Sequence, residues 1–234
     1  MCLMEFLTRE LDDPSAAPCG RCASCAAPFV QAASSPEAVR AAVAFLKRAS
    51  FTLEPRKRGA KNTNIRPEHR AEPGRSLCDY GDAGWGTLVE DGKYRARHFS
   101  DALVQASVDA IRLWRPSPAP EWVTAVPSLR HPVLVPDFAR RLAAALELPY
   151  RAALRKVRET PPQNTMENGA HQSANVTGAF EADTAQLDSG AVLLVDDLVD
   201  SRWTLTECAQ VLREAGSGPV LPFALARGGG DEQE

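Results

Sequence analysis

Two groups of side chains in this 234-residue chain have the types and spacing to do chemistry. The first lies in Val192-Leu-Leu-Val-Asp-Asp-Leu-Val-Asp-Ser-Arg-Trp-Thr204. Four apolar residues lead into Asp196 and Asp197, and adjacent carboxylates that end a buried strand are costly to bury unless they face a polar ligand. The turn that follows carries Asp200, Ser201 and Thr204 and feeds a helix N-terminus, where free amides and the helix dipole attract a phosphate. The second group is Pro18-Cys-Gly-Arg-Cys-Ala-Ser-Cys25, a C-x2-C-x2-C run of Cys19, Cys22 and Cys25, with Cys2 upstream. Thiolates two residues apart in a tight turn converge on one tetrahedral metal, whereas a disulfide within the run would be strained. With Cys2 as fourth ligand, the expected group is a closed four-thiolate zinc site of structural type. Cys208 falls on a helix face and reads as packing.

The elements around these groups can be read from periodicity. After Glu121 strands and helices alternate: a strand over Trp122–Pro127, a helix over Asp137–Glu147, an apolar strand over Ala191–Val195, a helix over Thr204–Glu214 and a strand over Val220–Leu225. Such alternation implies an α/β fold with a parallel sheet covered on both faces and ligands at the carboxyl ends of its strands. Nearer the N-terminus, Ser35-Pro36-Glu37 starts a helix that runs to about Arg48. Its Val39, Ala42, Val43 and Leu46 predict one buried face. A hairpin is expected over Thr87–Phe99, turning at Glu90-Asp-Gly92, then a helix from Ser100 to Trp114. Arg115-Pro-Ser-Pro-Ala-Pro120 reads either as a stiff hinge between two regions or as a short packed connector.

With 44% hydrophobic and 24% charged residues the composition is globular, and the net charge of −3 gives no hint of a nucleic-acid binder. The distribution differs from the total. Residues 40–75 hold ten basic and three acidic residues, a net of +7, which leaves 17 basic and 27 acidic residues, a net of −10, elsewhere. The cluster Arg56, Lys57, Arg58 at its centre suits backbone phosphates of DNA, although no aromatics are interleaved for base stacking, and a solvated loop is the other reading. No apolar stretch approaches about 18 residues, so no membrane span is expected. The opening residues lack a secretory signal, which with reduced cysteines points to a cytoplasmic protein.

Cys2-Leu-Met-Glu-Phe-Leu, Leu11-Asp-Asp-Pro14 and the run from Pro18 to Cys25 together resemble the zinc-binding subdomain of RecQ-family ATP-dependent DNA helicases, in ligand order and in spacing. Glu54-Pro-Arg-Lys57 and Asp82-Ala-Gly-Trp-Gly86 resemble segments of a bacterial subgroup with an extended C-terminus. The chain has no G-x-x-x-x-G-K-[ST] loop and no acidic motor motif, so the resemblance implies the C-terminal part of a longer helicase, or a degenerate relic of one, without an ATPase motor.

The segment from Val192 to Thr204 resembles the phosphoribosyl diphosphate signature of type I phosphoribosyltransferases, in particular the ComF-like branch, and the resemblance covers about Glu121 to Ala226. It implies that Asp196 and Asp197 hold the ribose hydroxyls, that Asp200, Ser201, Arg202, Trp203 and Thr204 wrap the 5-phosphate, and that Ser128, Leu129, Arg130 and His131 form the diphosphate loop. A hairpin over Leu154–Phe180 takes the place of the family's mobile cover. Arg202 and Trp203 stand where the family commonly has two glycines, and Arg202 offers a bidentate side-chain contact instead. If active, the chain transfers a phosphoribosyl group with Mg²⁺ on the diphosphate, Arg130 steadying its developing charge. His131 and His171 lie in loops that would face the ligand, though loop histidines are commonly solvated.

The expected layout is thus a zinc-binding segment at 1–30, a basic helix and hairpin region at 31–114, a Pro-rich linker at 115–120, a phosphoribosyltransferase-like domain at 121–227 and a disordered tail at 228–234. Two functions follow. One is binding of phosphoribosyl diphosphate or a nucleotide for transfer or sensing; the other is a non-catalytic DNA-binding accessory region of a DNA repair helicase.

Overall fold

A computed structural model describes residues 1–26, 34–59, 63–160 and 175–228. His171, the end of the 1–30 segment and all but the first residue of the 228–234 tail lie outside the described residues. The chain divides into two compact units, Met1–Val43 and Ala44–Glu234.

In the first unit, helix α1 (Leu3–Glu10) begins at Cys2, whose Sγ accepts a hydrogen bond from the Glu5 amide at 3.4 Å. Asp12, in the left-handed region at φ 55°, follows the helix end. Helix α2 (Pro36–Leu46) starts as expected, with Ser35 Oγ accepting from the Ala38 amide at 3.1 Å. Its apolar face is not buried: Val39 is half exposed, and no α2 residue is buried. Periodicity marks a face as apolar; only a partner element buries it.

The second unit is built on a five-stranded sheet in the order β1 (Phe51–Leu53), β2 (Gly74–Asp79), β7 (Val220–Arg227), β6 (Val192–Val199), β3 (Trp122–Ala125). All pairings are parallel except β1 with β2. The fold is therefore mixed α/β with a mainly parallel sheet, preceded by a small α-helical four-cysteine segment, as the alternating pattern predicts. Helices α4 (Asp101–Trp114) and α5 (Leu134–Ala145) cover one face, where Phe99 and Phe138 meet edge to face at 5.6 Å. Helix α6 (Trp203–Glu214) and the antiparallel pair β4 (Leu154–Lys156) and β5 (Phe180–Ala182) pack with the other. Central strands with both faces covered must be continuously apolar, which is why Val192–Val195 and Val220–Leu225 lack polar residues. Each fully buried Leu or Phe there contributes about 1.5–3 kcal/mol.

Three expectations change. First, strands β1 and β2 and helix α4 come from the region before residue 115, yet they join the sheet and core of residues 121–227. The prolines at 115–120 are thus a short connector from α4 to β3, and the compact units part at 43/44 instead. Second, β6 does not stop at Val195 but runs through Asp196 and Asp197 to Val199, paired with β7 along its length.

Third, no hairpin forms over residues 87–99. Helix α3 (Gly86–Asp91) runs into a π-helical turn (Gly92–Ala96), ended by Arg97 at φ 55°. Asp82 Oδ1 accepts from the amides of Gly84 at 2.7 Å and Gly86 at 3.0 Å and so starts the helix. Gly92 is helical at φ −58°; a Cβ on it would sit 2.8 Å from the Phe99 ring. The glycine of Glu90-Asp-Gly92 therefore serves close packing rather than a turn.

The connections create a switch point. After α5 the chain returns as Pro149–Arg151 on the outer side of β3, with the Val123 amide donating to Pro149 O and the Arg151 amide to Val123 O, both at 2.9 Å. From β3 the chain thus moves outward by way of α5 on one face, and from β6 it moves inward to β7 by way of α6 on the other. The loops leaving the carboxyl ends of β3 and β6 diverge, and a crevice opens between them, where ligands of open α/β sheets bind.

Candidate functional site

A cavity of about 530 Å³ occupies that crevice. It is lined by the loop after β3, the loop after β6, the β4–β5 pair and the π turn. Every residue expected from sequence to bind a phosphosugar lines it: Ser128, Leu129, Arg130 and His131 from the first loop, Asp196, Asp197, Asp200, Ser201, Arg202, Trp203 and Thr204 from the second.

Strand alternation gives the two acids different neighbours. Asp197 accepts a hydrogen bond from Lys93 Nζ at 2.9 Å, an ion pair whose side chains are 12% and 18% exposed. Asp196 Oδ1 accepts from the Asp197 amide at 2.8 Å. Burial pushes the Asp196 carboxyl up to about 8, and the Asp197 charge adds to this, while Lys93 opposes it. Burial by itself would lower the Lys93 ammonium, but the Asp197 charge and hydrogen bond outweigh it and raise the pKa, so Lys93 is a fixed cation. Lys156 is lowered, first by burial; its Nζ donates to Thr160 Oγ1 at 2.8 Å.

The loop after β6 keeps a glycine-like backbone without glycine. Arg202 is left-handed at φ 62°, a conformation that costs a non-glycine residue about 1 kcal/mol or more. Its Nη1 donates to Glu54 O at 3.0 Å. In return the Arg56 guanidinium stacks 3.8 Å over the buried Trp203 ring, and its Nη1 donates to Ser201 O at 3.3 Å. Residues 54–56 thus hold the loop from behind. Of the basic cluster Arg56, Lys57 and Arg58, Arg56 faces the loop, while the other two are exposed. Arg56→Ala is expected to speed amide exchange at Ser201–Thr204 about tenfold, the order of one cation–π contact. Exchange measured by mass spectrometry tests this, and unchanged rates would show that the stack does not brace the loop.

Helix α6 starts without a side-chain cap, and its first residues, Trp203, Thr204 and Leu205, line the cavity. In the loop after β3, Ser128 Oγ accepts from the His131 amide at 3.2 Å, and Arg130 is exposed. Arg97 Nη1 lies 3.2 Å from His131 Nε2. Sequence reading missed Lys93, Arg97 and Lys156. Lys93 stands 104 residues from Asp197 and has no periodic or motif signal; the pair exists only through the packing of the π turn against β6.

Far from this cavity in sequence, Cys2, Cys19, Cys22 and Cys25 form one cluster, with all four Sγ atoms within 4.8 Å of one another. The Cys2–Cys19 and Cys2–Cys22 sulfur separations are 3.6 and 3.7 Å. A tetrahedral ion with bonds of about 2.3 Å sets its ligands about 3.8 Å apart, so the donor set fits zinc in chemistry and in spacing. Amides of Glu5 and Cys19 donate to Cys2 Sγ and that of Cys22 to Cys19 Sγ, the outer hydrogen bonds that steady thiolates. Amide contacts lower the Cys22 thiol to about 6, whereas its neighbours Cys2 and Cys22 push Cys25 up to about 11.

Among the described residues no helix is long and apolar enough to cross a membrane. No protein-family model matches the chain, and no curated protein matches it. Among solved structures, the allosteric regulatory enzyme of purine biosynthesis is similar at 22% identity over 50% of this chain and 24% of that one, with a TM-score of 0.35. A crystal structure of adenine phosphoribosyltransferase is similar at 13% identity over 80% of this chain and 88% of that one, with a TM-score of 0.40. The chain spans about a quarter of the length of the first.

Proposed function

We propose that the second unit binds phosphoribosyl diphosphate and transfers its phosphoribosyl group to a nitrogen nucleophile, in the manner of the type I phosphoribosyltransferases that Val192–Thr204 resembles. The observation that carries this reading is the cavity at the switch point, where two carboxylates, an uncapped helix N-terminus and an arginine-bearing loop converge. Each part suits one part of the ligand. The 5-phosphate takes the α6 amides and the hydroxyls of Ser201 and Thr204. Asp196 and Asp197 accept the ribose hydroxyls, which orients the sugar and does no covalent chemistry. The diphosphate lies against Ser128–His131.

In the transfer step the nitrogen lone pair forms a bond to the anomeric carbon as the bond from that carbon to the diphosphate oxygen breaks, and the electron pair leaves with diphosphate. Arg130 places positive charge where the diphosphate charge grows. Mg²⁺ bound with the diphosphate would supply further neutralisation. The β4–β5 pair, whose Lys156 and Phe180 line the cavity, would serve as a cover that excludes water.

The four cysteines of the first unit are proposed to hold structural Zn²⁺, which is the extent to which residues 2–25 favour a helicase origin. Arg56 on Trp203 weighs against the DNA-binding reading of that cluster.

Calorimetric titration of the full chain with phosphoribosyl diphosphate and Mg²⁺ tests the reading. Saturable binding is expected, weakened at least about tenfold by Arg130→Ala, the loss of one charge-assisted contact. Absence of binding at millimolar ligand would overturn it.

A further inference from the structure

We infer that Lys93 is a specificity-determining residue of this site: it stands as a built-in cation at Asp197, so that the ribose 5-phosphate half of the ligand is taken without a divalent metal. The inference rests on the phosphosugar reading above and adds to it which part of the ligand needs Mg²⁺.

The argument is geometric. Lys93 Nζ lies 2.9 Å from Asp197 Oδ1, and both side chains are largely buried on the cavity wall. A metal ion at that oxygen would have to displace the ammonium and leave it buried without its partner, which is unfavourable for any ion taken out of water. The lysine cannot readily withdraw, because its backbone is fixed on both sides. Gly92 before it admits no Cβ against Phe99, and Arg97 at the end of the same turn reaches His131 in the loop after β3. One π turn therefore places a cation on the β6 acid and an arginine on the opposite loop, and wide helical turns of this kind recur at functional sites. Asp197 Oδ2 makes no hydrogen bond among the described residues and stays open to a sugar hydroxyl. A carboxylate already paired with an ammonium also repels a phosphosugar anion less than a bare one does.

The probe is ribose 5-phosphate, titrated into the full chain in EDTA and again in Mg²⁺. The two affinities are expected to agree within about threefold. Lys93→Met, which keeps the length of the side chain, is expected to weaken binding at least about tenfold in EDTA and to recover most of it in Mg²⁺, while Lys93→Arg stays metal-independent. A second readout needs no sugar. In electron paramagnetic resonance titrations with Mn²⁺, Lys93→Met is expected to gain one site absent from the natural chain. Lys93→Met combined with Asp197→Asn, a neutral pair that avoids an uncompensated buried charge, is expected to lose it.

The inference is overturned if phosphoribosyl diphosphate binds with Mg²⁺ but ribose 5-phosphate needs metal in the natural chain, or if Lys93→Met gains no Mn²⁺ site. Failure of phosphoribosyl diphosphate to bind at all would instead remove the phosphosugar reading, and this inference with it.

Discussion

Removing metal from the four cysteines is expected to unfold α1. Cys2 is the one buried residue among the described residues of Met1–Val43, and the apolar residues Leu3, Phe6, Leu7 and Leu11 are all exposed. An eight-residue helix without a core is unstable in water on propensity alone. An ion bound by Cys2, Cys19, Cys22 and Cys25 would tie the N-terminus of α1 to the cysteine run, and structural zinc supplies on the order of 10 kcal/mol in peptides that have no other core. Zinc analysis should give one ion per chain for the natural protein and none for Cys22→Ser. Amide exchange at Phe6–Leu11 should become at least about a hundredfold faster in that variant and in excess chelator, which corresponds to about 3 kcal/mol of lost protection. Protection of α1 that survives chelation would show that thiol packing suffices.

Asp196→Asn is expected to stabilise the ligand-free protein at pH 8 and to change little at low pH. In the unfolded chain the carboxyl ionises at about 3.9, whereas burial in the fold holds it at about 8. Between those values the folded state binds the additional proton, so raising the pH through this window removes stability. The penalty is absent below the unfolded value and complete above the folded one. Asparagine keeps the oxygen that accepts from the Asp197 amide and carries no charge to desolvate. Urea denaturation should show the variant gaining on the natural protein as pH rises from 5 to 8, by on the order of 3 kcal/mol at the upper end. A stability difference that does not change with pH would refute the assignment. The same change should weaken phosphosugar binding, since a buried carboxyl retained at such a cost is usually retained for a ligand.

The parts of this molecule that were legible before its structure share a local cause. The apolar run before Asp196, the acids themselves, and the hydroxyls leading into a helix are consecutive, so strand, turn and helix N-terminus follow from period and capping. The cysteine run is local as well, apart from Cys2, which a single helix and turn bring back to it. The hairpin over 87–99 failed for a related reason: Gly92 carries a turn signal in sequence, but the fold uses its missing Cβ to admit the Phe99 ring. Likewise the α2 stripe names an apolar face and cannot say whether anything covers it.

The sequence by itself determined the parallel α/β class, the strand that carries the two acids, though not its end, and the four-sulfur cluster, because periodicity and spacing act over a few residues. Only the tertiary structure decided that β1, β2 and α4 complete the sheet, that Arg56 braces Trp203 instead of facing solvent, and that Lys93 sits on Asp197. The pairing of β2 with β7 and the contacts of Arg56 and Lys93 join residues roughly a hundred or more positions apart, and such pairings are set by the register of strands and the burial of helix faces, which no local pattern encodes.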